Sequence, residues 1–245
     1  MVHNPELLGP HTETYGVVTP GDWVDFFRYV SEPYEGILVP ENDERDLKAL
    51  LIPKVMAAKQ DFDVVFQPNY QPPALGDWSA DEEKLPESPQ PYFLRANTGP
   101  KWMLGGVMSR PFITTRQSQG VCAISSIESS KTYGETLLSK FLTFQSVDHC
   151  LCVQEGTLTV QLKDGPESTF REGETVVIPA GQAFALRFAS RYVRVWSFTD
   201  GDGIETLIHR LGTQFEGAVL PDQVPNWNPA EVGSVASELN VTIEL

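Results

Sequence analysis

The sequence predicts a mainly β fold, a sandwich or barrel of many short strands. Short runs of β-branched and aromatic residues recur across residues 91–212, and glycine or proline stands at most of the junctions between them. With 41% hydrophobic residues in 245, the chain can also form a packed core. Nine strands are expected, over Trp102–Val107, Phe112–Thr115, Val121–Ile127, Phe141–Phe144, Cys150–Gln154, Thr157–Leu162, Glu174–Ile178, Phe184–Phe188 and Tyr192–Phe198.

Helices and extended segments are predicted before these strands. A short strand over Tyr15–Thr19 precedes a helix over Trp23–Val30, for which Asp22 is the expected N-cap. A second helix is expected over Glu44–Gln60 and a strand over Asp61–Gln67. The chain is therefore expected to contain an N-terminal region, a helical and proline-rich linker, a barrel and a C-terminal tail, over residues 1–36, 37–90, 91–212 and 213–245.

The second helix has two candidate N-caps and one internal helix breaker. Asn42 or Asp43 can cap it, because both side chains accept a hydrogen bond from a free backbone N–H. Pro53 is expected to kink or split it, because proline has no N–H to donate.

The acidic composition disfavours several classes of partner. A net charge of −15 and a pI of about 4.6 argue against nucleic acid, whose phosphates must be met by Lys and Arg. The sequence contains no run of 18 apolar residues, and its N-terminus lacks the basic and apolar regions of a signal peptide. An odd count of three cysteines is typical of reduced thiols. We therefore predict a cytoplasmic protein that binds neither nucleic acid nor a membrane.

Two short motifs resemble the frame of a cupin barrel, which is a jelly-roll fold. Cys150–Gly156 is a strand that runs into a glycine turn, and Gly173–Phe184 contains the sequence Pro-Ala-Gly. In metal-binding cupins a histidine follows three residues after the glycine of this Pro-x-Gly element, and here that position is Phe184. The resemblance therefore implies a jelly-roll barrel that lacks the usual metal chemistry.

The other ligand positions that the resemblance implies are also changed. The glutamate of the family, seven residues before Gly156, is His149 here. The His-x-His pair of the family falls on one of two pairs, depending on the register: Thr143 and Gln145, or Leu142 and Phe144. Of the four histidines, His149 is expected to lie inside the barrel; the others are His3, His11 and His209. His149 is thus the candidate ligand if copper or iron binds at an unrecognised site, and otherwise no cofactor is expected.

Longer segments resemble the fungal quercetin 2,3-dioxygenases, which are two-cupin proteins. Pro91–Gly106, Arg110–Ser118 and Cys152–Leu162 are similar to parts of their second barrel, and Thr14–Phe27 to the end of the first barrel and the helix after it. The resemblance covers about residues 12–215, the linker and C-terminal half of that architecture. It implies an oxidoreductase of fungal aromatic or secondary metabolism. Copper in the family lies in the N-terminal barrel, and no residue here matches one of its ligands.

Aromatic side chains are expected around the changed ligand positions. Phe144, Phe184, Phe188 and Trp196 lie near His149 in the predicted barrel. They either fill the interior, as side chains usually do in small barrels, or line a pocket for a small aromatic molecule.

Three functions remain open at this point. The first is a quercetin 2,3-dioxygenase-like oxidoreductase, complete or part of a longer enzyme. The second is a metal-free cupin that binds a small aromatic molecule or supports oligomer assembly, and the third is a metal-independent cyclase or isomerase.

Asp148, His149 and Cys150 are not expected to act together, since neighbours on a strand point to opposite faces. A homodimer is expected, because half of a two-barrel protein exposes the apolar face that packs on the other half.

Overall fold

Two antiparallel sheets dominate the computed structural model, which describes residues 9, 12, 14–19, 21–36, 44–59, 61–67, 69–72, 74 and 76–245. Their strands are β1 (Trp102–Leu104), β2 (Val107–Ile113), β3 (Ala123–Ser129), β4 (Phe141–Phe144), β5 (His149–Glu155), β6 (Thr157–Leu162), β7 (Glu167–Arg171), β8 (Thr175–Ile178), β9 (Phe184–Phe188), β10 (Val193–Thr199), β11 (Thr213–Gln214) and β12 (Val241–Glu244). One sheet has the order β11-β1-β2-β3-β10-β5-β8, and the other β12-β4-β9-β6-β7. The chain divides into two compact units, Met1–Gly76 and Asp77–Leu245.

The core of the second unit lies between the two sheets. Ile127, Leu151 and Val195 contribute to it from the longer sheet, and Leu158 and Leu186 from the shorter one; all five side chains are buried. Most other positions of these five strands are also buried or half-buried, as expected for strands in the middle of two packed sheets. The predicted mainly β, jelly-roll cupin fold is thereby confirmed.

The predicted strand over Trp102–Val107 is interrupted. Gly105 and Gly106 have φ angles of +49° and +89°, so they form the turn between β1 and β2. The prediction of a strand over Phe112–Thr115 is wrong in its bounds, because β2 begins directly after this turn and ends at Ile113. β7 was not predicted, because its sequence Glu-Ser-Thr-Phe-Arg lacks apolar alternation; it lies at the edge of its sheet.

The C-terminal tail, residues 213–245, adds one helix and two strands. Helix α3 (Ile204–Leu211) precedes it, β11 pairs with β1, and helix α4 (Pro229–Glu238) leads into β12, which pairs with β4. (Helices α1, Trp23–Val30, and α2, Leu47–Ala58, lie in the first unit.) Asn228 caps α4 by accepting a hydrogen bond from the Ala230 N–H at 3.1 Å. The tail thus becomes part of both sheets.

Helix α1 (Trp23–Val30) of the first unit is found where it was predicted. Asp22 is the N-cap residue, as predicted, but it adopts a left-handed φ of 74° and its side chain makes no capping hydrogen bond. The strands predicted over Tyr15–Thr19 and Asp61–Gln67 are not formed, because neither segment has a pairing partner among the described residues.

Helix α2 (Leu47–Ala58) is shorter than predicted and passes through Pro53 without interruption. Its N-cap is Asp46, whose carboxylate accepts a hydrogen bond from the Ala49 N–H at 3.1 Å. The two predicted caps, Asn42 and Asp43, lie outside the described residues, as do His3 and His11. The small core of this unit consists of Phe26, Val30 and Ala58, against which Val55, Phe62 and Val64 pack.

The helices in the described part of the chain are short. The longest, α2, has 12 residues, and none is long and apolar enough to cross a lipid bilayer.

Candidate functional site

Three of the predicted interior side chains meet at one point between the sheets. The ring of His149 at the start of β5 lies 4.6 Å from that of Phe144 on β4 and 5.4 Å from that of Phe184 on β9, measured between centroids. The two phenylalanine rings are 6.4 Å apart and nearly parallel. All three side chains are at most 1% exposed. Strands β4, β5 and β9 therefore do bring the predicted positions together, in the register that points Phe144 inward.

The other two predicted lining residues lie elsewhere. Phe188 is buried in the same core, where it packs with Leu151, Leu186 and Val195 so closely that no water molecule fits between them. Trp196 does not join them, because it follows Val195 on β10 and points to the opposite face of the sheet. There its ring makes an edge contact with Phe112, with centroids 5.7 Å apart.

His149 is held as a neutral hydrogen-bond acceptor. Its Nε2 accepts the backbone N–H of Ile204 at 3.3 Å, which places the ring proton on Nδ1. Burial lowers the pKa of His149 to about 4, although the backbone of Val147 and the carboxylate of Asp148 act in the opposite direction. Nδ1 makes no hydrogen bond of ordinary geometry. The imidazole is thus uncharged at neutral pH.

A buried carboxyl group lies close to this imidazole and was missed by sequence reasoning. Glu205 Oε1 accepts hydrogen bonds from the Gly203 N–H at 2.9 Å and the Thr199 hydroxyl at 3.2 Å, whereas Oε2 has no partner. A Cβ atom on Gly203 would lie 2.8 Å from His149 Nε2 and 3.0 Å from Glu205 Oε2, so these two atoms are within roughly 6 Å of each other. Burial raises the pKa of Glu205 to about 7.

The sequence contains only a faint signal for Glu205. Ile204, Leu207 and Ile208 form the apolar stripe of α3, and Glu205 lies at the edge of that stripe by helical spacing. A glutamate at such a position is usually solvent-exposed. Whether it is buried depends on where helix α3 packs after β10.

Comparison with known proteins supports the resemblance seen in the sequence. No protein-family model matches the chain. Its sequence is 24% identical, over 243 residues, to quercetin 2,3-dioxygenase from Aspergillus japonicus, a match that covers 90% of this chain and 68% of that protein. The chain is thus similar in sequence to a quercetin 2,3-dioxygenase, and its two antiparallel sheets form a cupin-like jelly roll.

Two solved structures are similar to part of the chain. The EutQ protein of Clostridium difficile is 21% identical with a TM-score of 0.32, over 39% of this chain and 68% of that one. The cupin domain of Schizosaccharomyces pombe Cnp3 is 11% identical with a TM-score of 0.34, over 43% of this chain and 71% of that one.

The residues of this cupin do not fit a copper or iron centre. Phe144 and Phe184 occupy two of the converging positions and have no donor atom, and His149 already uses Nε2 as an acceptor. In the described part of the chain, no three side chains of His, Cys, Asp or Glu are grouped so that they could hold an ion. Such centres require about three or four nitrogen or oxygen ligands.

A second imidazole of the cupin makes a hydrogen bond to a serine. His209 Nε2 on α3 lies 3.0 Å from Ser109 Oγ on β2, and the His209 ring stacks on Trp102 with centroids 4.3 Å apart. Burial lowers the pKa of His209 to about 4. Ser109 is fully buried, so a substrate cannot reach its hydroxyl. The pair therefore joins α3 to the longer sheet.

A groove with a volume of about 520 Å³ lies at the end of the barrel, on the second unit. The end of β3, the turn before β10 and the C-terminal tail line it. Its residues are Glu128, Ser130, Thr132, Tyr133, Arg191, Tyr192, Ala218, Val219, Leu220, Pro221 and Asp222.

The two tyrosines of this groove are fixed by hydrogen bonds. Tyr133 donates its hydroxyl to the Pro221 carbonyl at 2.5 Å, and Tyr192 donates to Glu128 Oε2 at 2.7 Å. Tyr133 also rests against Gly106, where a Cβ atom would come within 2.7 Å of its ring. Burial, followed by the negative charge of Asp222, raises the pKa of Tyr133, so its phenol stays protonated at neutral pH.

Proposed function

We propose that this protein is a metal-independent cupin that binds a small aromatic molecule in the groove beside Tyr133 and Tyr192, without dioxygenase chemistry. The observation that carries the proposal is the mutual contact of Phe144, His149 and Phe184, each at most 1% exposed, at the positions where a cupin metal centre would need donor atoms. Since packed side chains fill this part of the interior, a ligand has to bind outside it.

The groove supports the binding part of the proposal. Its volume of about 520 Å³ lies within the usual range of small-molecule pockets, about 300–1,000 Å³. Tyr133 and Tyr192 are anchored before any ligand arrives, which lowers the entropy that binding would cost. Their rings offer stacking surface to a planar ligand, and Val219 and Leu220 add apolar contact.

A second candidate function is an oxidoreductase of fungal aromatic or secondary metabolism. The 24% identity to quercetin 2,3-dioxygenase favours it. It would need metal ligands other than those in the described part of the chain.

Metal content and oxygen uptake separate the two candidates. We expect less than about 0.1 copper or iron per chain after incubation with each metal, and no oxygen uptake with quercetin. One metal per chain together with oxygen uptake would establish the oxidoreductase instead.

Substitutions of residues that do not contact the ligand themselves test whether the groove binds it. Gly106→Ala would push the Tyr133 ring out of place, and we expect it to weaken binding of quercetin or a simpler phenol about tenfold, measured by calorimetry. Gly120→Ala is the matched control, because Gly120 has a similar positive φ of 85° but no neighbour within 4 Å of a new Cβ. No binding to the wild type, or equal affinities for both variants, would contradict the proposal.

A cytoplasmic location, away from nucleic acid and membranes, belongs to the same proposal. All three cysteines are free, as expected in a reducing compartment, and the chain is strongly acidic.

A further inference from the structure

A small pocket lies between the two sheets of the second unit, beside their edge strands β7 and β8. Strand β7 is the last strand of the shorter sheet and β8 the last strand of the longer one, so the sheets end here without being hydrogen-bonded to each other. The pocket has a volume of about 140 Å³. The residues that line it, most of them apolar, are Val160, Leu162, Pro166, Ser168, Phe170, Val176, Val177, Ile178, Pro179 and Gln182.

The pocket is an extension of the barrel interior. Ser168 of β7 pairs with the buried Val160 of β6, and Val176 of β8 pairs with the buried Leu151 of β5. Because paired residues lie on the same face of a sheet, Ser168 and Val176 face the space between the sheets. Val177 points the other way and lies at the rim, where it is 63% exposed.

The small side chain of Ser168 leaves this space open. Ser168 lies next to Phe170 on the inner face of β7, opposite Val160, at a position where an apolar side chain of ordinary core size would fill the gap. A packed interior contains few voids larger than a water molecule, so a space of this size needs an explanation. An apolar cavity of about 150 Å³ stays dry and is large enough to bind benzene.

The lining of the pocket favours a neutral ligand. Among the described residues that form it, only Ser168 and Gln182 have polar side chains, and none is charged. The Gln182 amide nitrogen donates a hydrogen bond to the Ala183 carbonyl at 3.2 Å, so Oε1 is the atom that can accept one from a ligand. A charged ligand would leave water without meeting an opposite charge, which strongly opposes its binding.

We propose that this pocket binds a small neutral molecule with one aromatic ring and a hydroxyl group, a simple phenol. The ring packs against Phe170 and Ile178, and the hydroxyl donates to Gln182 Oε1. The pocket shares no lining residue with the groove beside Tyr133 and Tyr192, so this inference does not depend on the ligand proposed for that groove. A space of about 140 Å³ is too small for the three rings of quercetin.

Methyl NMR of the full chain tests the proposal without any substitution. The isoleucine, leucine and valine methyl groups are labelled and phenol is added to about 20 mM, because a ligand of this size binds with roughly millimolar affinity. A ring in the pocket shifts the methyl signals of Val160, Val176 and Ile178, whereas a ring in the groove shifts those of Val219 and Leu220. We expect saturable shifts of the pocket methyl groups with phenol and none with benzoate.

Substitutions on β7 provide a matched comparison. Ser168→Leu fills the pocket and should weaken phenol binding at least about tenfold, measured on the same methyl signals. Thr169→Leu is the control, because the neighbouring side chain points to the opposite face of the strand, and it should bind phenol like the wild type. Ser168→Ala leaves the space open and should retain the affinity within about threefold.

Three results would each overturn the proposal. The first is a wild type in which phenol shifts only the methyl signals of the groove, or no signals at all. The second is benzoate binding in the pocket as tightly as phenol. The third is equal affinity of Ser168→Leu and Thr169→Leu for phenol.

Discussion

The polar centre of the barrel contains an imidazole and a carboxyl group that are both kept from ionising. Burial moves their pKa values in opposite directions, to about 4 for His149 and about 7 for Glu205. Each retains one buried atom without an ordinary hydrogen bond, Nδ1 in His149 and Oε2 in Glu205. The charged forms of both residues therefore destabilise the fold. The two residues act with opposite sign over nearly the same range of pH, since His149 costs stability as the pH falls from about 6.5 to 4 and Glu205 as it rises from about 4 to 7.

Replacing Glu205 by glutamine should remove a loss of stability between acidic and neutral pH. In the unfolded chain the pKa of Glu205 is about 4.3, and folding raises it to about 7. The stability that this group contributes is therefore fully present below about pH 4 and is lost as the pH rises through 7. The loss amounts to roughly 4 kcal/mol, and Glu205→Gln, which keeps an acceptor for the Gly203 N–H, should not show it.

Urea unfolding at pH 5, 6, 7 and 8 would measure this difference. The free energy of unfolding of Glu205→Gln should increase relative to that of the wild type with each step up in pH. His149 and His209 lose stability as the pH falls below their unfolded pKa of about 6.5, but they are present in both proteins and largely cancel. Parallel stability curves for the two proteins would contradict the prediction.

Gly203 is required for packing and not for its backbone conformation. Its φ is −96°, which any residue adopts, but a Cβ atom there would lie 2.5 Å from Thr199 Cγ2 and 2.8 Å from His149 Nε2. Gly203→Ala should therefore reduce the free energy of unfolding by about 1–3 kcal/mol. Gly233→Ala is the control, because nothing lies within 4 Å of the new Cβ in α4, and it should be neutral or stabilising in the same thermal melts.

At the scale of elements, the glycine-turn motifs predicted the position of the site around His149, but their spacing did not predict all of its residues. The glycine turns fixed the positions of His149 and Phe184 along the chain, and pairing of β4 with β12 and β9 then selected the register with Phe144 inside. The burial of Glu205 beside His149 could not be predicted, because it depends on where helix α3 packs after β10. Trp196 was expected near His149, but the two-residue period of β10 turns it to the face opposite the buried Val195.

The convergence of β4, β5 and β9 predicts that a metal site can be rebuilt. The centroid distances of 4.6, 5.4 and 6.4 Å are similar to the separation of about 5 Å expected for imidazoles on one Zn²⁺. Phe144→His/Phe184→His should therefore bind one Zn²⁺ per chain and melt at a higher temperature when zinc is added. The single variant Phe184→His should bind it much more weakly, and the wild type should not respond.

Zinc titrations followed by calorimetry and thermal melting would check this prediction, on a variant that melts cooperatively without metal. A double variant that folds but shows no zinc-dependent rise would mean that these three positions do not converge as ligands. The metal requires neutral imidazoles, so binding should also weaken as the pH falls below about 6.

At the scale of the whole molecule, the apolar core is distributed very unevenly. The large core cluster lies entirely within residues 77–245, whereas the described residues of the first unit include three buried core residues, Phe26, Val30 and Ala58. The first unit is therefore expected to be the less stable part.

Residues 77–245 expressed alone should fold and unfold cooperatively, because both sheets, α3, α4 and the core cluster belong to this segment. Circular dichroism melts of the fragment and of the full chain check this prediction. A fragment that lacks a cooperative transition would show that the first unit supports the barrel.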